Sequence, residues 1–113
     1  MTRHACAALV AGTIVFALPL VAAAQSAAEQ GAALFTSQKC SMCHSIAGKG
    51  NPKGSLDSVG TKLKADEIKQ WITDPEAMRE KTKATRTPAM KQMKLAPDQV
   101  DALVAYLGTL HGK

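Results

Sequence analysis

The sequence predicts a small all-α domain in which three to four main helices and their loops surround a large apolar insert. Apolar residues recur at helical spacing in three segments, and no stretch has the alternating pattern of a strand. The chain of 113 residues is only 4% aromatic, and residues 45–63 are rich in glycine, serine, lysine and proline. A domain this small with so thin a core usually needs a metal, disulfides or a cofactor to fold stably.

The first 24 residues have the order of a secretory signal peptide. Arg3 lies in a short basic start, an apolar run follows from Ala5 to Leu18, and small residues end the segment at Ala24. Cleavage near Ala24 leaves residues 25–113 as one domain, exported to an oxidising compartment such as the periplasm. An uncleaved anchor is the alternative, but the small-residue end favours cleavage, with no stable membrane insertion afterwards.

The first predicted helix covers Ala27 to Lys39. Ala28, Ala32 and Phe35 recur at helical spacing, and Glu29 lies in the first turn, where the helix dipole favours a negative charge. This helix leads directly into the next motif.

A second helix is predicted from Ala65 to Thr73. Ile68, Trp71 and Ile72 share one face, and Asp74-Pro75 ends the helix because proline disfavours helical backbone in the residue before it.

The last helix is predicted from Pro97 to Leu110. Proline suits the first helical position and Asp98 the positive end of the helix. Its apolar face is formed by Val100, Leu103, Val104 and Leu107.

The motif Cys40-Ser41-Met42-Cys43-His44 lies between the first helix and the loop that follows. A disulfide at this spacing closes a small ring with little gain in stability, and a thioredoxin-like pair needs a preceding strand. Zinc needs four ligands, whereas the mature chain offers only two cysteines and two histidines, one of them His111 near the C-terminus. These alternatives also leave His44 unexplained. The pattern is that of covalent haem attachment, in which Cys40 and Cys43 form thioethers with the porphyrin and His44 ligates iron.

Three stretches together resemble the class I c-type cytochromes, and they read GAALFTSQKCSMCH, EIKQWITDP and MKQMKLAPDQVDALVAYL. The resemblance covers nearly all of the mature chain and implies the small cytochrome c fold around one covalent haem c. It also implies that the first and last helices cross closely, with Gly31 and Tyr106 in contact. The function it implies is single-electron transfer between redox proteins, as in a respiratory chain, by a monomer.

The same resemblance places the second iron ligand a few residues before the last helix, which selects Met90. Met93 and Met78 remain as alternatives, although both suit a role as adaptable core filler better. Met42, inside the haem motif, is expected to be only a spacer.

The loop after the haem motif departs from the usual pattern of such cytochromes. They carry Gly-Pro there, and the proline carbonyl accepts a hydrogen bond from the ligand histidine. This sequence has Gly54-Ser55-Leu56, with the proline displaced to Pro52. Another backbone carbonyl can accept the bond, so the departure concerns the orientation of His44 rather than its ligation.

Without Arg3 of the signal peptide, 13 basic and 9 acidic residues give the mature chain a formal charge of +4, which predicts acidic protein partners. Basic residues crowd the segment before and around Met90, against Glu80 alone, and they are Arg79, Lys81, Lys83, Arg86, Lys91 and Lys94. We expect a docking face for acidic redox proteins, with ordinary solvated surface as the alternative. Nucleic acid is not expected, because basic and aromatic residues do not alternate.

No catalytic constellation of the serine-protease, paired-carboxylate or phosphate-loop kind is present, so an enzyme is not expected. Two other functions are compatible with the motifs. One is a haem c subunit of a larger periplasmic oxidoreductase complex. The other is a ligand-binding haem sensor, which requires that Met90 does not bind iron.

Overall fold

The computed structural model describes residues Gln25 to Gly112, so the predicted signal peptide lies outside the described residues. Within this range the chain forms five α-helices and two single-turn 3₁₀ helices, Cys40–Met42 and Pro52–Gly54. The α-helices are α1 (Ala27–Ser37), α2 (Val59–Lys62), α3 (Ala65–Thr73), α4 (Pro75–Thr82) and α5 (Pro97–Gly108). The helical fold class predicted from the sequence is confirmed. Among the described residues, no helix has the length and apolar character needed to cross a membrane.

Helix α1 begins and ends at well-defined caps. The Ser26 hydroxyl accepts a hydrogen bond from the Glu29 amide (3.2 Å), and the Glu29 carboxylate accepts one from the Ser26 amide (2.8 Å). This reciprocal pair satisfies two amides that would otherwise lack partners. The helix ends at Ser37, two residues earlier than predicted, because Gln38 caps it and Lys39 adopts a left-handed conformation (φ 56°).

Helices α3 and α4 are joined at Asp74. The bounds of α3 match the prediction, and its first turn is capped by Glu67, whose carboxylate accepts from the Lys64 amide (2.9 Å). Asp74 then caps α4 by accepting from the Ala77 amide (3.2 Å), with Pro75 at the first helical position.

Helix α4 was not predicted, and it contains Met78. The sequence PEAMREKT has too few apolar residues for a helical pattern, so only the Asp-Pro start indicates the helix.

Helix α5 crosses α1 at very close range. A Cβ atom added to Gly31 would overlap the carbonyl oxygen of Ala102 and lie 2.6 Å from Cβ of Tyr106. One turn further along, the rings of Phe35 and Tyr106 meet edge to face with centroids 6.2 Å apart. The predicted contact of Gly31 with Tyr106 is therefore confirmed.

The segment from Ser45 to Leu63 contains more structure than the sequence indicated. Two-residue strands β1 (Ser45–Ile46) and β2 (Lys49–Gly50) pair antiparallel, although no strand was expected. Strands of two residues are too short to show the alternation of apolar and polar residues that predicts a strand. The loop is held further by Asp57, whose carboxylate accepts from the Ala47 amide (2.6 Å). These bonds fix the path of the chain after the haem motif.

The core lies between α1, α3 and α5. It consists of Phe35, Ile68, Ile72, Val100, Leu103 and Leu107. Five of these six side chains also line a large cavity, so the core is open on one side.

Candidate haem-binding site

A cavity of about 790 Å³ opens beside the core. Its walls come from α1, α3, α5, the Cys40–His44 motif and the segment between α4 and α5, and they include apolar side chains such as Leu56, Leu63 and Trp71. Pockets of roughly 300 to 1,000 Å³ hold cofactor-sized molecules in proteins. The cavity therefore has the size and the apolar lining that the thin core of the sequence predicted for its insert.

The cavity wall includes the predicted attachment residues Cys40 and Cys43. The left-handed Lys39 turns the chain out of α1 and into the 3₁₀ turn at Cys40, which brings both thiols to the cavity. Both thiols are free, with Cys40 half-buried and Cys43 exposed. Burial raises the pKa of the Cys40 thiol, and the neighbouring Cys43 adds to this effect. Cys40 therefore lacks the lowered pKa of a thioredoxin-like nucleophile.

His44 is held by one hydrogen bond that fixes its ring. Its Nδ1–H donates to the carbonyl oxygen of Gly54 at 3.1 Å, which leaves Nε2 as the nitrogen free to bind a metal. Gly54 thus provides the carbonyl that the resemblance assigns to a proline. Burial lowers the pKa of His44, and the charge of Arg86 adds to this against the opposing effect of the bond to Gly54. A neutral imidazole is the form that ligates iron.

The three candidate methionines occupy different environments. Met90 is 37% exposed and lines the cavity, and the half-buried Met93 lines it as well. Met78 is only 1% exposed and packs inside the protein, away from the cavity lining. The structure therefore brings Met90 and Met93, but not Met78, to the same cavity as His44. Met90 as the iron ligand stays a prediction.

Met42 also lines the cavity, but its side chain is 71% exposed. The neighbouring Asn51 side chain donates to the Met42 carbonyl (3.2 Å), so this residue is fixed through its backbone. Its side chain makes no part of the buried core.

Arg86 has a position that the sequence did not indicate. Its guanidinium donates from Nη2 to the carbonyl oxygen of Cys43 at 2.6 Å and lies against Gly54. In the sequence it is one of six basic residues in a run and has no feature that separates it from the others. Only the fold brings residue 86 to the haem motif.

The match to one protein family agrees with this geometry. The family model of cytochrome c matches residues 28–111. Searches of curated proteins and of solved structures gave no match. Membership implies one covalently bound haem c with its iron, and the cavity beside a Cys-x-x-Cys-His motif fits such a group. The chain therefore belongs to the cytochrome c family.

Proposed function

We propose that this cytochrome is exported to the periplasm and shuttles single electrons between redox proteins. In this proposal Cys40 and Cys43 would hold haem c, and His44 and Met90 would ligate its iron. The observation that carries it is that both thiols, the oriented imidazole and Met90 line the same apolar cavity. Bound haem supplies the one-electron couple.

The two thiols act as tethers. Each sulfur can bond to one carbon of a porphyrin vinyl group while the thiol hydrogen goes to the other, so that a thioether forms and no further reactant is consumed. The short spacing of Cys40 and Cys43 and their place on one wall of the cavity support this role. His44 follows directly and presents Nε2, because Nδ1 is held by Gly54.

The proposed ligand pair suits a carrier rather than an enzyme. His44 and Met90 together leave no free position for oxygen, peroxide or substrate. The apolar walls from α3 and α5 exclude water from the cofactor, so its surroundings change little when an electron arrives. Both properties favour electron transfer without bond chemistry.

The partner surface is proposed to be the basic rim of the cavity. Arg79, Arg86 and Lys91 line the cavity, and so does Lys39, which the sequence did not group with them. An acidic partner attracted to this rim would approach the cofactor by its exposed edge. We expect the rate of electron transfer to such a partner to fall as salt is raised, and an unchanged rate would contradict the docking proposal.

The ligand assignment is tested with two methionine variants of the purified holoprotein. Met90→Ala is expected to remove the weak near-infrared band of methionine sulfur on ferric iron, and Met93→Ala to leave it in place. The reduced wild-type protein should resist carbon monoxide, whereas Met90→Ala should bind it. The assignment fails if the band survives Met90→Ala.

The same experiment distinguishes an electron carrier from the second candidate function, a ligand-binding haem sensor. Met90 lies in the irregular segment between α4 and α5 and is more than one third exposed, which is compatible with a loosely held ligand. Ready binding of carbon monoxide by the reduced wild type would favour a haem sensor. Export is tested separately, by sequencing the N-terminus of the protein recovered from a periplasmic extract, where a start at Gln25 is expected.

A further inference from the structure

We propose that Arg86 is a positioning residue for electron transfer, which fixes the peptide groups around His44 and stabilises the reduced state of the cofactor through its charge. The proposal rests on the ligation by His44 proposed above. It assigns to Arg86 a task different from that of the other basic residues around the cavity.

The first observation is the hydrogen bond to the haem motif. The Nη2–H group of Arg86 donates to the Cys43 carbonyl at 2.6 Å, across 43 residues of sequence. Hydrogen bonds from a charged donor are shorter and stronger than neutral ones. Cys43 immediately precedes His44, so this bond holds the peptide from which the ligand extends.

The second observation is the packing on Gly54. A Cβ atom added there would lie 2.9 Å from Cζ of Arg86 and would overlap its Nη1 and the Cys43 carbonyl oxygen. Gly54 is the residue whose carbonyl accepts the Nδ1–H bond of His44. One guanidinium therefore contacts both the residue before the histidine and the residue that orients its ring.

The third observation concerns charge. The guanidinium of Arg86 lies 2.6 Å from the carbonyl oxygen of Cys43, so the field of its positive charge reaches the adjoining residue His44. The same field acts on whatever the imidazole binds. Loss of an electron adds one positive charge at the iron, and a nearby cation disfavours that state. The electron itself comes from the redox partner.

The arginine side chain is suited to this task. Its planar guanidinium can bond a carbonyl at one edge while it lies flat against a peptide, whereas a lysine ammonium is a compact point charge. Arg86→Lys therefore keeps the charge and loses the fixed geometry. Arg86→Gln and Arg86→Met remove the charge.

The experiment measures the reduction potential of holoproteins at low ionic strength. Arg79→Gln is the matched control, because Arg79 lines the same cavity and carries the same charge, whereas the contacts to Cys43 and Gly54 are made by Arg86. We expect Arg86→Gln to raise the oxidised-to-reduced ratio at fixed potential about threefold to tenfold. For a one-electron couple this ratio corresponds to a reduction potential that is lower by about 30 to 60 mV. The reduction potential of Arg86→Lys should lie between that of Arg86→Gln and that of the wild type. Arg79→Gln should shift the potential by less than half of the shift in Arg86→Gln.

Stability and haem content are measured on the same samples. Arg86 is exposed, so we expect its variants to fold, and Arg86→Met replaces Arg86→Gln if haem content is low. The proposal is overturned if Arg86→Gln lowers stability without moving the potential, or if Arg79→Gln moves it equally. Failure of the underlying function would look different, since the wild type would then lack a haem spectrum or keep it unchanged in His44→Ala.

Discussion

The crossing of α1 and α5 gives the sharpest test of the fold. In an exposed helix, Gly31→Ala would stabilise by about 1 kcal/mol through helix propensity. Here the new Cβ would overlap the Ala102 carbonyl and lie 2.6 Å from Cβ of Tyr106, where carbon atoms normally keep about 3.5 to 4.0 Å. No side-chain rotation relieves a clash with backbone, so the helices must separate by roughly 1 Å. Overpacking of this kind costs about 3 kcal/mol at the upper end of its usual range, which leaves a net loss of about 2 kcal/mol.

The assay is denaturant unfolding of the holoprotein, followed by far-ultraviolet circular dichroism. Gly108→Ala is the control, because Gly108 lies in α5 and nothing stands within 4 Å of an added Cβ. We expect this control to be neutral or more stable by up to about 1 kcal/mol. A Gly31→Ala protein as stable as the wild type would refute the close crossing as a constraint on the fold.

Two further pairs of substitutions test local features of α4. Lys83 ends this helix in the left-handed conformation (φ 56°), so Lys83→Gly should raise the unfolding free energy by about 1 kcal/mol, whereas Lys81→Gly inside the helix, with the same loss of charge, should lower it by about 1 kcal/mol. Equal effects in denaturant unfolding would contradict the backbone argument. Met78 is 1% exposed, so Met78→Ala should cost about 2 to 5 kcal/mol and Met78→Leu less than about 1.5 kcal/mol. Loss of the near-infrared band in Met78→Ala, with α4 intact, would contradict its place outside the cavity.

The helices were predictable where periodicity and caps agree. The apolar face and the Asp74-Pro75 end placed α3 at the bounds that the structure has, and Pro97 placed the start of α5. Helix α4 was missed because its burial depends on only two residues, Pro75 and Met78, which is too little for a pattern. The Asp74-Pro75 pair both ends α3 and caps α4, and in the sequence only its role as a helix end is supported by a neighbouring apolar pattern.

The residues of the site likewise differ in how well the sequence predicts their positions. Cys40, Cys43 and His44 lie within five consecutive residues, so one short motif placed them on the cavity wall. Arg86 reaches this motif from 43 residues away, and its contact depends on how α4 and the following segment fold. The other basic residues of the same run carry the same charge without the same contact. No local sequence pattern predicts a contact between residues so far apart in the chain.

The α1–α5 crossing and the haem site share packed side chains. Phe35, Leu103 and Leu107 belong to the core beside the α1–α5 crossing and also line the cavity. Close-packed interiors transmit small displacements, so a separation of the helices at Gly31 also moves the cavity wall. Helix α1 leads through Lys39 into Cys40, so the same displacement reaches the attachment motif. Gly31 is not itself a lining residue of the cavity, yet through this packing it helps to set the position of the motif that contains His44.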